Sequence, residues 1–104
     1  MNTAFALLTQ ARRMPLVAIL RGLVPAEAAA IGTALYEGGF RTLEVPLNRP
    51  GAIECIDILT RTLPADALVG GGTMLSVADV DAVHGAGGRL MVSHNMPKEA
   101  AWAI

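Results

Sequence analysis

Four short apolar runs recur along the chain at nearly even spacing: LVAILR from Leu16, RTLEVP from Arg41, ALVGGG from Ala67 and RLMVSH from Arg89. Their first residues are 25, 26 and 22 positions apart. Runs this short and this apolar, bounded by breaks, predict strands covered on their faces rather than alternating surface strands. Each run is preceded by a stop. Gly38-Gly39 and Gly87-Gly88 suit the left-handed position that closes a helix, and LPAD supplies the break before the third run. Each run is followed by a helix start. Pro25, Pro50 and Pro97 fit a first helical turn, and Ser76 with Asp79 three residues on resembles a capping box.

Between these signals the apolar residues fall at helical spacing: Ala28, Ile31, Leu35 and Tyr36; then Ile53, Ile56, Leu59 and Leu63; then Val77, Val80 and Val83. A leading helix is expected over about residues 3–13, with Leu7, Leu8 and Ala11 on one side. The organisation is therefore a helix followed by four β-α units. Apolar strands joined by helical crossovers imply a parallel α/β sheet. An open doubly wound sheet and a (β/α)8 TIM barrel compete. No GxGxxG follows the first run and there is no P-loop, which favours the barrel. Four units make half of one, since a whole barrel takes about 250 residues. Residues 1–104 are expected to form a single domain of that kind.

Barrel chemistry gathers at the C-terminal ends of the strands and in the loops after them. The candidates are Arg21-Gly22, residues 44–49, residues 70–73 and residues 93–95. Alternation along the second run sends Leu43 and Val45 to the helices and Glu44 inward. A carboxylate there loses solvation, so its proton affinity rises toward the range of a general base. The competing role for Glu44 is a structural ion pair with Arg21. Arg21 otherwise offers paired hydrogen bonds to a carboxylate or phosphate. The GGGT stretch reads as a turn that lets backbone approach a ligand, with the Thr73 hydroxyl available to an anion, or as a tight turn only. Asn48 either bonds a substrate oxygen or caps the helix entered at Pro50. Asn95 shares that ambiguity before Pro97. Arg49 reads as a solvated loop charge, and Cys55 and Trp102 as helix-face packing.

Composition narrows the partners. The chain is 53% hydrophobic and 16% charged, a globular balance. Its net charge is −1 and no basic cluster occurs, which argues against nucleic acid or a membrane surface but leaves a small anion open. Cys55 is the single cysteine, and His84 and His94 lack metal-site spacing, so neither a disulfide framework nor a metal or other cofactor is expected. No run reaches membrane-span length. In MNTAFALLTQARRMP the basic pair follows the apolar residues, the reverse of a signal peptide, so a cytoplasmic protein is expected.

PLVAILRG, GGFRTLEVPLN, VGGGTML and LMVSHNM stand in the order and spacing of the KDPG/KDPGal aldolases, and the chain resembles that family from about residue 16 onward. The AILRG and VPLN variants are most similar to its 2-keto-3-deoxy-6-phosphogalactonate branch. The resemblance implies a (β/α)8 barrel, homotrimeric at full length, that cleaves a phosphorylated keto-deoxy sugar acid to pyruvate and glyceraldehyde 3-phosphate without a metal. It implies a Schiff-base lysine on the sixth strand and a strand-2 glutamate, matched by Glu44, that moves protons through a water. Thr73 matches the threonine that helps hold the pyruvate carboxylate, and Arg21 an arginine of the substrate pocket. Asn48 stands where the phosphogluconate branch carries an arginine.

Two departures from the family pattern matter. His94 replaces the proline that usually precedes the asparagine of the fourth motif, and a changed turn is the simpler consequence. The only lysine is Lys98, directly after Pro97 in an expected first helical turn, a poor Schiff-base candidate. The final KEAAWAI lies in a helix pattern without a stop. Residues 1–104 alone are thus expected to be an inactive half barrel with open strand edges. The alternatives are a non-catalytic, self-associating half barrel that binds a small anion, or another phosphate-handling barrel such as a synthase of the thiamine-phosphate type.

Overall fold

The computed structural model describes residues 17–74 and 76–92. The leading helix, Ser93, His94, Asn95, Pro97, Lys98 and Trp102 lie outside them. The apolar runs become β1 (Val17–Ile19), β2 (Thr42–Pro46), β3 (Leu68–Gly72) and β4 (Leu90–Val92). Between them lie α1 (Pro25–Glu37), α2 (Ala52–Thr62) and α3 (Val77–Gly85). The strands form one parallel sheet in the order β1-β2-β3-β4, so every chain neighbour is also a sheet neighbour. That topology needs a crossover after each strand, which the helices provide.

The register sets the two faces. Ile19, Glu44, Gly70 and Leu90 lie side by side across the sheet, as do Ala18, Leu43, Val69 and, one step on, Gly71 and Met91. The second row packs against the helices. Leu43, Val45 and Val69 join Ala28, Ile56, Leu59, Val80 and Val83 in one core. Leu43, Ile56 and Leu59 are fully enclosed, and burying such a side chain is worth about 1.5–3 kcal/mol. On the opposite face Leu68 and Leu90 form a small separate cluster, while Val17 and Ile19 are 50% and 56% exposed.

Several expectations shift. The glycines at 70–72 are strand residues of β3, not a turn. Each gives room for a close neighbour: Gly70 for the Leu90 backbone, Gly71 for Val83, and Gly72 for Glu44. On α1, Ala28 and Gly32 are buried and Leu35 and Tyr36 pack against the core as expected, but Ile31 is left 37% exposed. The reason is close approach, because a side chain at 32 would overlap Leu59 of α2. Val77 is also exposed, and α3 packs through Val80 and Val83 one turn later. Pro50 precedes the helix instead of opening it: Gly51, at φ 84°, is the N-cap of α2. Pro25 does open α1, and the Ser76 hydroxyl accepts from the Asp79 N–H at 3.1 Å. Gly39 and Gly87, at φ 108° and 91°, take the left-handed positions after their helices.

The N-terminal end of the sheet is closed by paired polar groups. Tyr36 donates to Asp66 at 2.5 Å, and Arg41 pairs with Asp66 at 3.3 Å. The Arg41 guanidinium lies 3.7 Å from the centre of the Tyr36 ring and donates to the Tyr36 and Phe40 carbonyls. Nearby, Arg89 donates to the carbonyls of Ala65 and Ala67, and Thr60 to that of Ala86. This cluster ties the end of α1 to the starts of β2 and β3.

Candidate active site at the C-terminal edge of the sheet

Because the strands are parallel, all their C-terminal ends share one edge, and three adjacent strands bring the candidates there. Arg21 follows β1, Glu44 is the third residue of β2, Asn48 follows β2, and Thr73 follows β3. Neighbouring strands lie about 5 Å apart, within reach of one small molecule.

Glu44 is the enclosed member. It is 7% exposed, and its Oε2 is buried with no hydrogen-bond partner. Its side chain leans across β3 above Gly72. Loss of solvation pushes its carboxyl above the ordinary value near 4.5, and the Arg21 charge partly opposes the rise. Arg41 pairs with Asp66 and Arg61 with Asp57, and among the described residues no ion pair joins Arg21 to Glu44. Arg21 therefore acts on Glu44 at a distance and does not neutralise it by direct pairing. An unpaired buried carboxylate costs stability, and such groups concentrate at functional sites.

Thr73 is exposed and sits at φ 55°, the left-handed region, which a β-branched residue rarely enters. Strain of this kind persists where the surroundings over-determine it, often at ligand-binding turns. Asn48 is exposed and does not cap α2, whose N-cap is Gly51 without a side-chain bond. Among the described residues the side chains of Arg21, Asn48 and Thr73 form no ion pair or hydrogen bond with one another. Arg49, expected to be a plain loop charge, brings its guanidinium 3.2 Å from the place of a Gly22 side chain. It thus adds a second cation beside the loop that carries Arg21. Gly22 at φ 80° leaves that approach open.

The structure also carries clefts. One of about 220 Å3, lined by Leu59, Thr60, Leu63, Ala67, Gly87 and Arg89, opens at the opposite end of the sheet. Its arginine is already bonded to backbone carbonyls. Another, of about 170 Å3, lies between the N-termini of α2 and α3 on the helix side. Among the described residues no group of three histidine, cysteine, aspartate or glutamate side chains could hold a metal ion. No helix among them is long and apolar enough to cross a membrane. Cys55 is buried, and its thiol lies 3.7 Å from the Leu23 carbonyl, as a packing residue should.

Comparison with known proteins follows the same lines. The profile of the KDPG and KHG aldolases matches residues 7–102. A probable 2-dehydro-3-deoxy-6-phosphogalactonate aldolase of Rhizobium meliloti (strain 1021) is 48% identical over 79% of this chain and 39% of its own length. The 2-dehydro-3-deoxy-6-phosphogalactonate aldolase of Escherichia coli (strain K12) is 39% identical over 84% of this chain and 42% of its own. A native KDPGal structure superposes with a TM-score of 0.78 at 39% identity, covering 85% of this chain and 43% of that one. A KDPG aldolase from Legionella pneumophila, with pyruvate captured as a covalent carbinolamine, superposes with a TM-score of 0.80 at 26% identity, over 96% of this chain and 46% of that one. The chain thus spans about two fifths of the length of the curated relatives it matches. The parallel β-α units belong to the (β/α)8 barrel class.

Proposed function

The chain belongs to the KDPG and KHG aldolase family, and from that premise we propose that it serves a class I retro-aldol cleavage of 2-keto-3-deoxy-6-phosphogalactonate to pyruvate and glyceraldehyde 3-phosphate. The observation that carries the chemistry is the buried, unpartnered Glu44 carboxyl at the C-terminal edge of a parallel sheet. The two galactonate-named relatives support the choice of epimer. So does Asn48, which by the resemblance stands where the phosphogluconate branch carries an arginine.

In the proposed reaction a lysine amine condenses with the C2 ketone and expels water. The iminium then accepts the electron pair of the breaking C3–C4 bond. Glu44 takes the proton of the C4 hydroxyl through a water and returns a proton to C3 of the resulting enamine. Hydrolysis frees pyruvate. A carboxyl whose proton affinity is raised by burial suits both directions of that transfer. Arg21 lines the substrate pocket, Thr73 receives the pyruvate carboxylate, and Asn48 a hydroxyl. Arg49 adds positive potential to the same rim. The lysine is the part this span does not supply, because Lys98 is the only one in it. Residues 1–104 are accordingly proposed to form half of a single barrel domain, inactive alone. The whole enzyme is proposed to be a cytoplasmic homotrimer.

Treatment with pyruvate and borohydride tests this directly. Residues 1–104 should gain no pyruvyl mass, whereas a protein joining them to the lysine-bearing strand should gain one adduct and turn over the galactonate substrate. An adduct on Lys98 would overturn the division of labour. A second reading, a self-associating half barrel without catalysis, draws on the exposure of Val17 and Ile19. Sedimentation of residues 1–104 as a concentration-independent monomer would remove it.

A further inference from the structure

We propose that Gly72 is a positioning residue: the space left by its missing side chain is the seat in which the Glu44 carboxylate rests. The inference rests on the role given to Glu44 above. A Cβ built on Gly72 would overlap the Glu44 carboxyl carbon and Oε1 and come within 2.8 Å of Oε2. Gly72 is not among the glycines with positive φ. Its backbone is ordinary strand, so space rather than conformation calls for glycine there. The two glycines before it have different neighbours. Gly70 meets the backbone of Leu90, and Gly71 meets a methyl of Val83 on the helix face. Of these three glycines, Gly72 alone has a titratable side chain as its neighbour.

The kind of neighbour decides the outcome of substitution. At Gly70 a methyl group would strike backbone, which cannot move without displacing β4. At Gly72 it would strike the tip of a flexible side chain, which can rotate away. Gly72→Ala should therefore leave the chain folded and expel the carboxylate from its seat toward the solvent at the strand ends. Glu44 would then regain solvation and lose the feature that fits it for proton transfer. Glycine 72 is thus assigned to the site, although it has no group of its own to offer a substrate.

The test is a carbon-13 NMR titration of the Glu44 carboxyl in the wild-type chain, in Gly72→Ala and in Gly71→Ala. Gly72→Ala should bring the titration down toward 4.5. Gly71→Ala should crowd Val83 on the helix face and leave the Glu44 titration unchanged. An unchanged titration in Gly72→Ala, or an equal shift in Gly71→Ala, would overturn the proposal. Should Gly72→Ala fold poorly, Glu44→Ala supplies the second measurement. Gly72→Ala must then cost less in thermal midpoint on the Glu44→Ala background than on the wild type, and an equal cost on both would overturn the assignment. None of these readouts needs aldolase activity. A Glu44→Gln enzyme with full turnover would end the catalytic reading while leaving the positioning result to stand or fall separately.

Discussion

Arg41 and Arg21 each flank a strand of the same sheet, at opposite ends, and they live in different company. Arg41 stands before β2 with a carboxylate, a ring and two carbonyls around it. Arg21 stands after β1 near a buried carboxylate with which it makes no ion pair. The same contrast holds for the acids. Asp66 at the N-terminal end is paired with Tyr36 and Arg41, while Oε2 of Glu44 has no partner. At one end polar groups satisfy each other and fasten elements together. At the other they are left open, one of them at a cost to the fold. Stabilising contacts gather at the N-terminal face of a barrel and chemistry at the C-terminal face because the loops after the strands are free to vary over a fixed scaffold.

The sharpest way to break this contrast is at Glu44. Removing the carboxylate should lower turnover in the active protein roughly 100- to 10,000-fold, the usual contribution of a positioned acid-base group. The same change should not weaken the fold at neutral pH. Glu44 binds its proton more tightly folded than unfolded, so the folded state is favoured while the group is protonated. Wild-type stability should fall as pH rises from about 4.5 through the raised folded value. Glu44→Gln should remove that component of the slope and be at least as stable as wild type above the window. Thermal unfolding from pH 4 to 8 checks it. A Glu44→Gln chain less stable than wild type at pH 8 would mean that the carboxylate has a partner after all.

At the other end, Arg41→Ala should do the reverse. It deletes the pair with Asp66 and the stack on Tyr36. Both are partly solvated, so the loss should be about 1 kcal/mol of stability. Turnover per folded enzyme should not change. A kcat reduced as much as by a substitution at the C-terminal edge would erase the distinction between the ends.

Much of this division was legible in the residues. The strand-helix alternation follows from short apolar runs between glycine and proline stops, and the inward position of Glu44 from its parity with Leu43 and Val45. What stayed hidden is a matter of distance rather than pattern. Three consecutive glycines look like a turn because glycine is a poor strand former, yet in β3 each gives way to a different neighbour known only once β2, β4 and α3 are in place. Ile31 fits the helical stripe by spacing, but the closest approach of α1 runs along Ala28 and Gly32, which let Leu59 in. Arg49 looked ordinary because nothing near it in sequence reveals that its guanidinium reaches Gly22.

Thr73 offers the smallest and most specific test, since nothing in its sequence context signals φ 55°. A threonine held there costs about 1–2 kcal/mol relative to an unstrained residue. Thr73→Ala removes the hydroxyl and keeps a Cβ in the strained position. Thr73→Gly removes both, at an entropic cost of about 0.5–1 kcal/mol in the unfolded chain. Glycine should therefore come out level with alanine or more stable by up to about 1 kcal/mol, against the usual order in which glycine is worse. Both variants should raise KM for the keto acid by similar factors, because both lack the hydroxyl. Denaturant unfolding of the pair reads the first effect and steady-state kinetics the second. If Thr73→Gly is the less stable of the two by the ordinary glycine margin, the turn after β3 stores no strain. The open end of the sheet would then differ from the closed one by its unpaired charges alone.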